Sequence, residues 1–323
     1  MSTWTPGITV IIPTFKRPID LNRCLAALEE QSLKPAEILI AYRAEDEATQ
    51  AYLARQDRPG LSARLILCDR PGQVYAMTVG IDNVRSAFFA FTDDDGAPAP
   101  DWLERIVAHF QSDPKIGGVG GKDYVCVGGM WFEGEEPVVG RIRWNGRAIG
   151  FHHLGVGPAR YVECLKGVNM AFRRSAFDDL RPDSRLRGKG AQVGSDLHLS
   201  LSVVARGYKL IYDPKVLVYH YPGERPAEED RVLFNPVTLK DEVFNRTLIV
   251  MEFLRTQRWG RLRQAAMLAH LGLRGLRKTP GLMLLVYGVL TGYPDTWMRF
   301  KMTFAAYREA LAAAGKTSGQ PRK

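Results

Sequence analysis

The sequence predicts an α/β protein, a mostly parallel sheet flanked by helices and followed by a C-terminal helical appendage. Four apolar, β-rich runs, ITVIIPTF (8–15), EILIAY (37–42), RLILCD (64–69) and AFFAFT (87–92), alternate with segments of helical character. The runs are nearly continuous in apolar residues, as strands covered on both faces require. From about residue 236 the chain reads as helix to its end, apart from breaks at Pro280-Gly281 and Pro294.

The elements follow in order. Between the first two runs, DLNRCLAALEEQ (20–31) places Leu21, Leu25 and Leu28 on one helical face. EDEATQAYLARQ (45–56) and GQVYAMTVGIDNVR (72–85) fill the next two gaps. This β-α-β alternation requires right-handed crossovers and a parallel sheet. Residues 117–165 are rich in glycine and aromatics and lack helical periodicity, so hairpins or a long loop over the sheet edge are expected there. VNMAFRR (168–174) reads as a short strand, and SDLHLSLSVVARG (195–207) as a helix stopped by Gly207. KLIYDPKVLVYHY (209–221) is strand-like but broken at Asp213-Pro214. The expected division is a catalytic domain over 1–235 and a basic helical region over 236–323.

Composition narrows the class. At 46% hydrophobic and 24% charged residues, the chain has the profile of a soluble core. No uncharged apolar run is long enough for a conventional membrane span, and the N-terminal MSTWTPGITVIIPTF lacks a signal-peptide pattern. Cys24, Cys68, Cys126 and Cys164 are widely spaced, which suggests reduced thiols in a cytoplasmic protein, not a zinc or disulfide framework. The net charge of +9 is uneven: Arg255 to Lys323 carries 13 Lys/Arg against 2 Asp/Glu. A basic tail on a roughly neutral body implies an anionic partner for the tail alone.

The fourth run ends in Asp93, Asp94 and Asp95. In open parallel sheets ligands bind beyond the carboxyl ends of the strands. Three carboxylates so close stay charged only against a neutralising cation, and a hard divalent metal would supply it while also binding phosphate oxygens. Asp93 and Asp95 point to the same side of an extended segment. A solvated acidic turn before Gly96 is the alternative at this point.

The order of ITVIIPTFKRP, FTDDDGAPAPDWLE and SDLHLSLSVVARGYKLIYDP followed by His220 resembles that of the family 2 glycosyltransferases with the GT-A fold, over roughly residues 8–222. The resemblance implies an enzyme that transfers a sugar from a nucleotide-diphosphate sugar to a hydroxyl acceptor, a glycan or a lipid-linked sugar, with inversion. It places Pro13 and Thr14 at the nucleotide pocket, Asp93 on the ribose, Asp94 assisting, and Asp95 with His220 on a divalent metal, Mg²⁺ or Mn²⁺. Asp196 falls at the position of the catalytic base, though Ser195 stands where the family carries a glutamate. Arg43, Asp46 and Gln73 are assigned to the nucleotide pocket, and Gly167 and Asn169 to the donor sugar. The family's second-strand aspartate pair and its Arg-Asn pair after the third strand are missing; Ala41-Tyr42-Arg43 and Met77-Thr78 stand there. Those departures keep open a catalytically degenerate scaffold of polysaccharide assembly. A sugar nucleotidyltransferase would want a glycine-rich basic loop, and a phosphatase using the acid triplet an early nucleophilic aspartate, in place of Pro13-Thr14.

Two surfaces complete the reading. Trp131, Phe132, Trp144, Phe151, His152 and His153 are candidates for an acceptor-side wall or for a small hydrophobic cluster. Residues 261–294 interleave Arg261, Arg263, Arg274, Arg277 and Lys278 with aliphatics, which suits a helix pair lying on an anionic membrane surface, or a helical layer packed on the core. The interleaving and the lack of a binding module argue against nucleic acid.

Overall fold

A computed structural model describes residues 4–55, 58–188, 190, 192–223, 234–276 and 278–314. The chain divides into two compact units, one of Met1–Arg141, Ile149–Pro182 and Leu199–Glu224, the other of Ile142–Ala148, Asp183–His198 and Arg225–Lys323.

The first unit begins as the apolar runs require. Strands β1 (Thr5–Pro13), β2 (Glu37–Arg43), β3 (Ala63–Cys68) and β4 (Ser86–Phe91) alternate with helices α1 (Pro18–Glu29), α2 (Glu47–Arg55) and α3 (Gln73–Asp82). β1 lies between β2 and β4, β3 flanks β2, and all these pairings are parallel. Both faces are covered, which is why the runs do not alternate. Ile8, Val10 and Ile12 of β1 join the cluster holding Leu21, Leu25 and Leu28 of α1. Ile11 points the other way, into the cluster of Met77, Phe89 and Phe91. Pro18, in the first turn of α1, supplies a preset φ where its missing N–H costs nothing.

Beyond β4 come β5 (Gly96–Pro98), α4 (Trp102–Ser112), β6 (Ile116–Val127), β7 (Met130–Trp131), the small β8 (Arg141–Ile142) and β9 (Ala148–Ile149), β10 (Arg160–Val162), β11 (Met170–Arg173), α5 (Ser195–Ala205) and β12 (Lys209–His220). The main sheet runs β10-β12-β6-β11-β4-β1-β2-β3, with β5 paired to β12 and β7 to β6. Of the hairpins or long loop expected over 117–165, a hairpin forms where β7 folds back antiparallel on β6, but the start of the segment is not an edge. β6 is a strand of 12 residues in the middle of the sheet, parallel to β12 and antiparallel to β11. Its glycines hide it from pattern reading, and its neighbours explain them. A Cβ on Gly121 would overlap the carbonyl oxygens of Val216 and Asp213, and one on Gly120 would stand 2.5 Å from the Asn169 carbonyl oxygen. The break expected at Asp213-Pro214 is a register shift between Asp213 and Val218 inside a continuous β12. Gly207 follows α5 at φ +87°, the left-handed stop its sequence signals.

In the second unit, α6 (Pro236–Thr256), α7 (Gly260–Leu273), α8 (Leu282–Leu290) and α9 (Thr296–Ala314) carry the helical appendage. Asn235 caps α6 by accepting from the N–H groups of Val237 and Thr238, and Pro236 sits in its first turn. α6 and α9 share a core of Leu239, Val243, Phe244, Leu248, Ala306, Tyr307 and Ala310. The breaks expected at Pro280-Gly281 and Pro294 fall before α8 and α9, the first as a small hairpin of β13 (Gly275–Leu276) and β14 (Thr279–Pro280); one more was not foreseen, Trp259 at a left-handed φ of 61° before α7.

The glycine account of β6 is testable by unfolding in urea. Gly121→Ala should destabilise by about 1–3 kcal/mol or more, because backbone carbonyls cannot step aside as a flexible side chain would. Gly60→Ala, with nothing within 4 Å of its new methyl group, should be neutral or stabilise slightly.

Candidate active site

The site is assembled at the carboxyl ends of β1 and β4. Pro13 closes β1 opposite Ala41, and the Thr14 N–H donates to the Ala41 carbonyl at 2.9 Å. The Thr14 hydroxyl then donates to Asp94 Oδ2 at 2.8 Å. Lys16 turns the chain at φ 58°, held by its N–H donating to Asp46 Oδ2 at 2.6 Å. That turn delivers Arg17, whose Nη1 lies 3.2 Å from Asp94 Oδ1 and 3.4 Å from Asp95 Oδ2. The sequence reading passed over Arg17, although it follows Pro13-Thr14 by only a few residues.

Asp94 and Asp95 are 3% and 5% exposed, while Asp93 is half-buried in the turn whose carbonyl accepts from the Gly96 N–H at 3.0 Å. β5 begins immediately after this triplet, and Gly96 pairs with His220 on β12. That pairing carries His220 to Asp95: Nε2 is 3.4 Å from Asp95 Oδ1. The Gly223 N–H donates to Asp95 Oδ2 at 3.1 Å. On the far side of the imidazole, Nδ1 is 3.6 Å from Oδ2 of Asp123, a wholly buried residue of β6 that also accepts from Lys166 Nζ. Asp123 went unnoticed because its segment reads as hairpins or loop, and Lys166 because its stretch points to Gly167 and Asn169.

Electrostatics separates the two buried aspartates. Burial pushes the Asp94 carboxyl up to about 7, against the pull of Arg17. Burial opposes charge on Asp95 too, but His220, the Gly223 N–H and Arg17 outweigh it and lower its pKa. Asp123 is likewise lowered, with His220 and Lys166 overcoming burial. Burial works against a charged His220, yet Asp123 and Asp95 raise it to about 9.

The residues fit a hard divalent cation. Asp95 Oδ1, Asp123 Oδ1 and His220 Nδ1 are buried side-chain atoms without a hydrogen-bond partner among the described residues. Asp95 Oδ1 and the His220 Nε2 that faces it at 3.4 Å offer an oxygen and a nitrogen suited to Mg²⁺ or Mn²⁺. Among the described residues no three His, Cys, Asp or Glu side chains form a closed metal cage. A metal held by one or two protein ligands and completed by substrate phosphates needs none.

The other candidates are spread over several elements. Arg43, at the end of β2, lies over the Phe15 ring at 4.7 Å and pairs with Glu45; Gln73 opens α3 after Gly72, beyond the end of β3. Asp46 is fully buried and caps α2, its Oδ1 accepting from the Thr49 N–H at 3.0 Å, so both its oxygens are committed to backbone donors. Asn169 is also fully buried. Its side-chain oxygen accepts from Trp102 Nε1, and its amide donates to the carbonyls of Lys122 and Val216. It therefore cross-links β6, β11, β12 and α4 instead of reaching a sugar. Gly167 lies in the turn closed by the Asn169 N–H on the Lys166 carbonyl. Asp196 stands in the first turn of α5, half-buried, with Oδ1 accepting from the Leu197 N–H. Of the aromatic group, Trp131 stacks on Tyr124 at 4.6 Å and meets Tyr219 and Tyr221 edge-on. His152 is core, its ring against the Cys164 carbonyl, while Phe132, Trp144 and Phe151 are exposed.

The position of Asp94 predicts a pH effect. Its folded-state pKa of about 7 lies above the ordinary 3.8, so protonation favours the fold fully below about pH 4, and that contribution is lost as pH rises from there to 7. In metal-free protein, Asp94→Asn should therefore gain stability relative to the parent between pH 4 and pH 7, at up to about 1.4 kcal/mol per pH unit, and level off above pH 7. A constant difference in urea midpoints across that range would show that Asp94 does not titrate there.

Comparison with known proteins agrees with this architecture. The profile of the family described as "Glycosyltransferase like family 2" matches residues 6–234. Glycosyltransferase AglE of Haloferax volcanii is 30% identical over 230 residues, covering 68% of each chain. The pre-mycofactocin glycosyltransferase of Mycobacterium tuberculosis is 25% identical over 218 residues, and the match spans 66% of this chain but 42% of that longer protein. Among solved structures, the mannosyltransferase PcManGT from Pyrobaculum calidifontis, in complex with GDP-Man and Mn²⁺, shares the fold with a TM-score of 0.52 at 18% identity, over 97% of this chain and 88% of its own. With more than two thirds of its length matched by the family profile, the chain belongs to the family 2 glycosyltransferases and is a transferase enzyme of GT-A-like fold.

Proposed function

We propose that this enzyme transfers a sugar from a nucleotide-diphosphate sugar to a hydroxyl of a glycan or lipid-linked acceptor, with metal dependence and inversion. The observation that carries the reading is the convergence of Thr14, Arg17, Asp94, Asp95 and His220 at the carboxyl ends of β1 and β4. A solvated acidic turn would leave these carboxylates in water, whereas Asp94 and Asp95 are nearly sealed from it. The order of the three motifs in the sequence supports the same assignment.

In this reading Asp95 and His220 hold Mg²⁺ or Mn²⁺, and Asp93 takes the ribose, with Pro13, Thr14, Arg43 and Gln73 around the nucleotide. The bound metal stabilises the negative charge that develops on the leaving diphosphate. Arg17 adds a fixed positive charge beside the same carboxylates. Asp196 accepts the proton of the acceptor hydroxyl as its oxygen bonds to the anomeric carbon, and the electrons of the breaking C–O bond leave with the diphosphate. Holding donor and acceptor in one orientation supplies much of the remaining acceleration. A catalytically inactive scaffold would bind the donor without turning it over.

We also place the enzyme on the surface of an anionic membrane. No described helix is long and apolar enough to cross a bilayer. α8 has no charged residue, and Leu282, Met283, Val286, Tyr287, Val289 and Leu290 on it are all more than half exposed. Arg274 and Lys278 flank it, both exposed, as do Trp297 and Lys301 on α9. Apolar side chains buried in the acyl boundary contribute about 1.5–3 kcal/mol each when fully covered, and a basic residue near the headgroups about 1 kcal/mol. Arg261 is also exposed, Arg263 is tied to the carbonyls of Arg143 and Trp144, and Arg277 lies outside the described residues.

Three measurements test the proposal. Asp95→Asn should weaken Mn²⁺-dependent binding of nucleoside diphosphate by tenfold or more in calorimetry, since it removes a charged ligand; unchanged binding would remove Asp95 from the metal site. Asp196→Asn should lower transfer by roughly 10²–10⁴-fold with donor affinity nearly intact, the usual worth of a general base; near-normal turnover would assign the base elsewhere. Co-sedimentation should be stronger with phosphatidylglycerol vesicles than with phosphatidylcholine, weaken in high salt, and fall with Val286→Glu/Leu290→Glu. Binding indifferent to lipid charge would overturn the electrostatic part, and no binding would overturn the membrane assignment.

A further inference from the structure

His220 is flanked by two carboxylates from different strands. Asp95 Oδ1 lies 3.4 Å from Nε2, and Asp123 Oδ2 lies 3.6 Å from Nδ1. The register explains the second contact. β6 and β12 are parallel, with Val125 opposite His220, and Asp123 stands two residues before Val125 on the same face of β6. The glycines of β6 bring its backbone against β12 just before this point, since a Cβ on Gly121 would overlap the Val216 carbonyl.

Asp123 is costly where it is. It is 0% exposed, and its Oδ1 and the Nδ1 of His220 are both buried without a hydrogen-bond partner among the described residues. Lys166 reaches its Oδ2 from a side chain that is 33% exposed. A pairing with Lys166 alone would not require the carboxylate to be sealed beneath an imidazole, where each unmet hydrogen bond carries a penalty. The chemistry of imidazole supplies a reason. A histidine binds a cation through the lone pair of one ring nitrogen, so its proton must sit on the other nitrogen, and an acceptor there fixes which is which.

We propose that Asp123 is a positioning residue: its Oδ2, 3.6 Å from His220 Nδ1, accepts the Nδ1–H when the ring closes that gap on binding the cation, fixes the ring, and so presents Nε2 to a divalent cation shared with Asp95. The inference rests on the metal-dependent reading above and adds a residue to it. Asp123 touches neither donor nor acceptor; it acts through His220, and Lys166 serves only to offset its charge.

The test uses the full chain and Mn²⁺, with binding followed by electron paramagnetic resonance in the presence of GDP and, separately, UDP. Asp123→Asn keeps the shape but replaces the carboxylate, and should weaken Mn²⁺ binding by about 10–100-fold. Lys166→Met should change it by less than about threefold. In a His220→Gln background, Asp123→Asn should cost nothing further, because the ring it orients is gone. Nitrogen NMR with Mg²⁺ and GDP should find His220 protonated at Nδ1 in the parent and in mixed tautomers in Asp123→Asn. Parent-like Mn²⁺ affinity in folded Asp123→Asn, or the same loss with and without His220, would overturn the proposal. Should that variant fail to fold, Asp123→Glu, which moves the carboxylate by one methylene, should still weaken binding; an unchanged affinity would equally overturn it. A parent protein that binds no Mn²⁺ with either nucleotide would instead overturn the metal-dependent reading itself, and this inference with it.

Discussion

Two adjacent carboxylates, Asp94 and Asp95, are held almost out of water at the end of a buried strand, and much of the first unit is arranged around neutralising them. Burying one uncompensated charge costs several kcal/mol, and two in sequence repel each other as well. The compensation comes from distant parts of the chain. Thr14 and Arg17 come from the turn after β1, His220 from the end of β12, and the Gly223 N–H from just beyond it. They meet because β4 lies beside β1 and because β5, directly after the aspartates, pairs with β12. Arg17 bridges the two, one guanidinium nitrogen within 3.4 Å of both carboxylates.

The close packing of β6 is the second constraint. Four of its first six residues are glycine, and their neighbours crowd close at Gly117, Gly118, Gly120 and Gly121. Each glycine weakens a strand in isolation, through backbone entropy and lost side-chain packing. Here the loss is offset by close contact with Leu210, Phe172 and Tyr208, and by the amide of Asn169, which bonds carbonyls at Lys122 and Val216. Asp123 follows directly on this segment, so a feature of packing delivers a charged group to the imidazole.

The second unit obeys a different balance. α6 and α9 bury a shared apolar core, whereas α8 exposes most of its apolar side chains. Large exposed apolar patches rimmed by polar residues mark surfaces that meet something other than water. The exposed Arg and Lys residues around α8 give that surface a sign preference as well as an apolar one.

The sequence alone determined the alternating first half, β1 to β4 and α1 to α3. There, local periodicity and burial on both faces coincide, so pattern and structure carry the same information. It also pointed to the acidic end of β4, to Thr14 and to His220, through the order of three motifs. Other features only the tertiary structure decided. Asp46 and Asn169 are polar residues near the expected pocket, and nothing local reveals that backbone groups and the Trp102 indole consume them. Arg17 and Asp123 are ordinary charged residues until strand order sets one on two aspartates and the other against an imidazole. β6 was invisible for the same reason: a glycine strand has no side-chain pattern, because its signal lies in the neighbours that leave no room for a Cβ. Pattern reading captures interactions between a residue and its own element, whereas these residues owe their roles to groups 30 to 97 positions away.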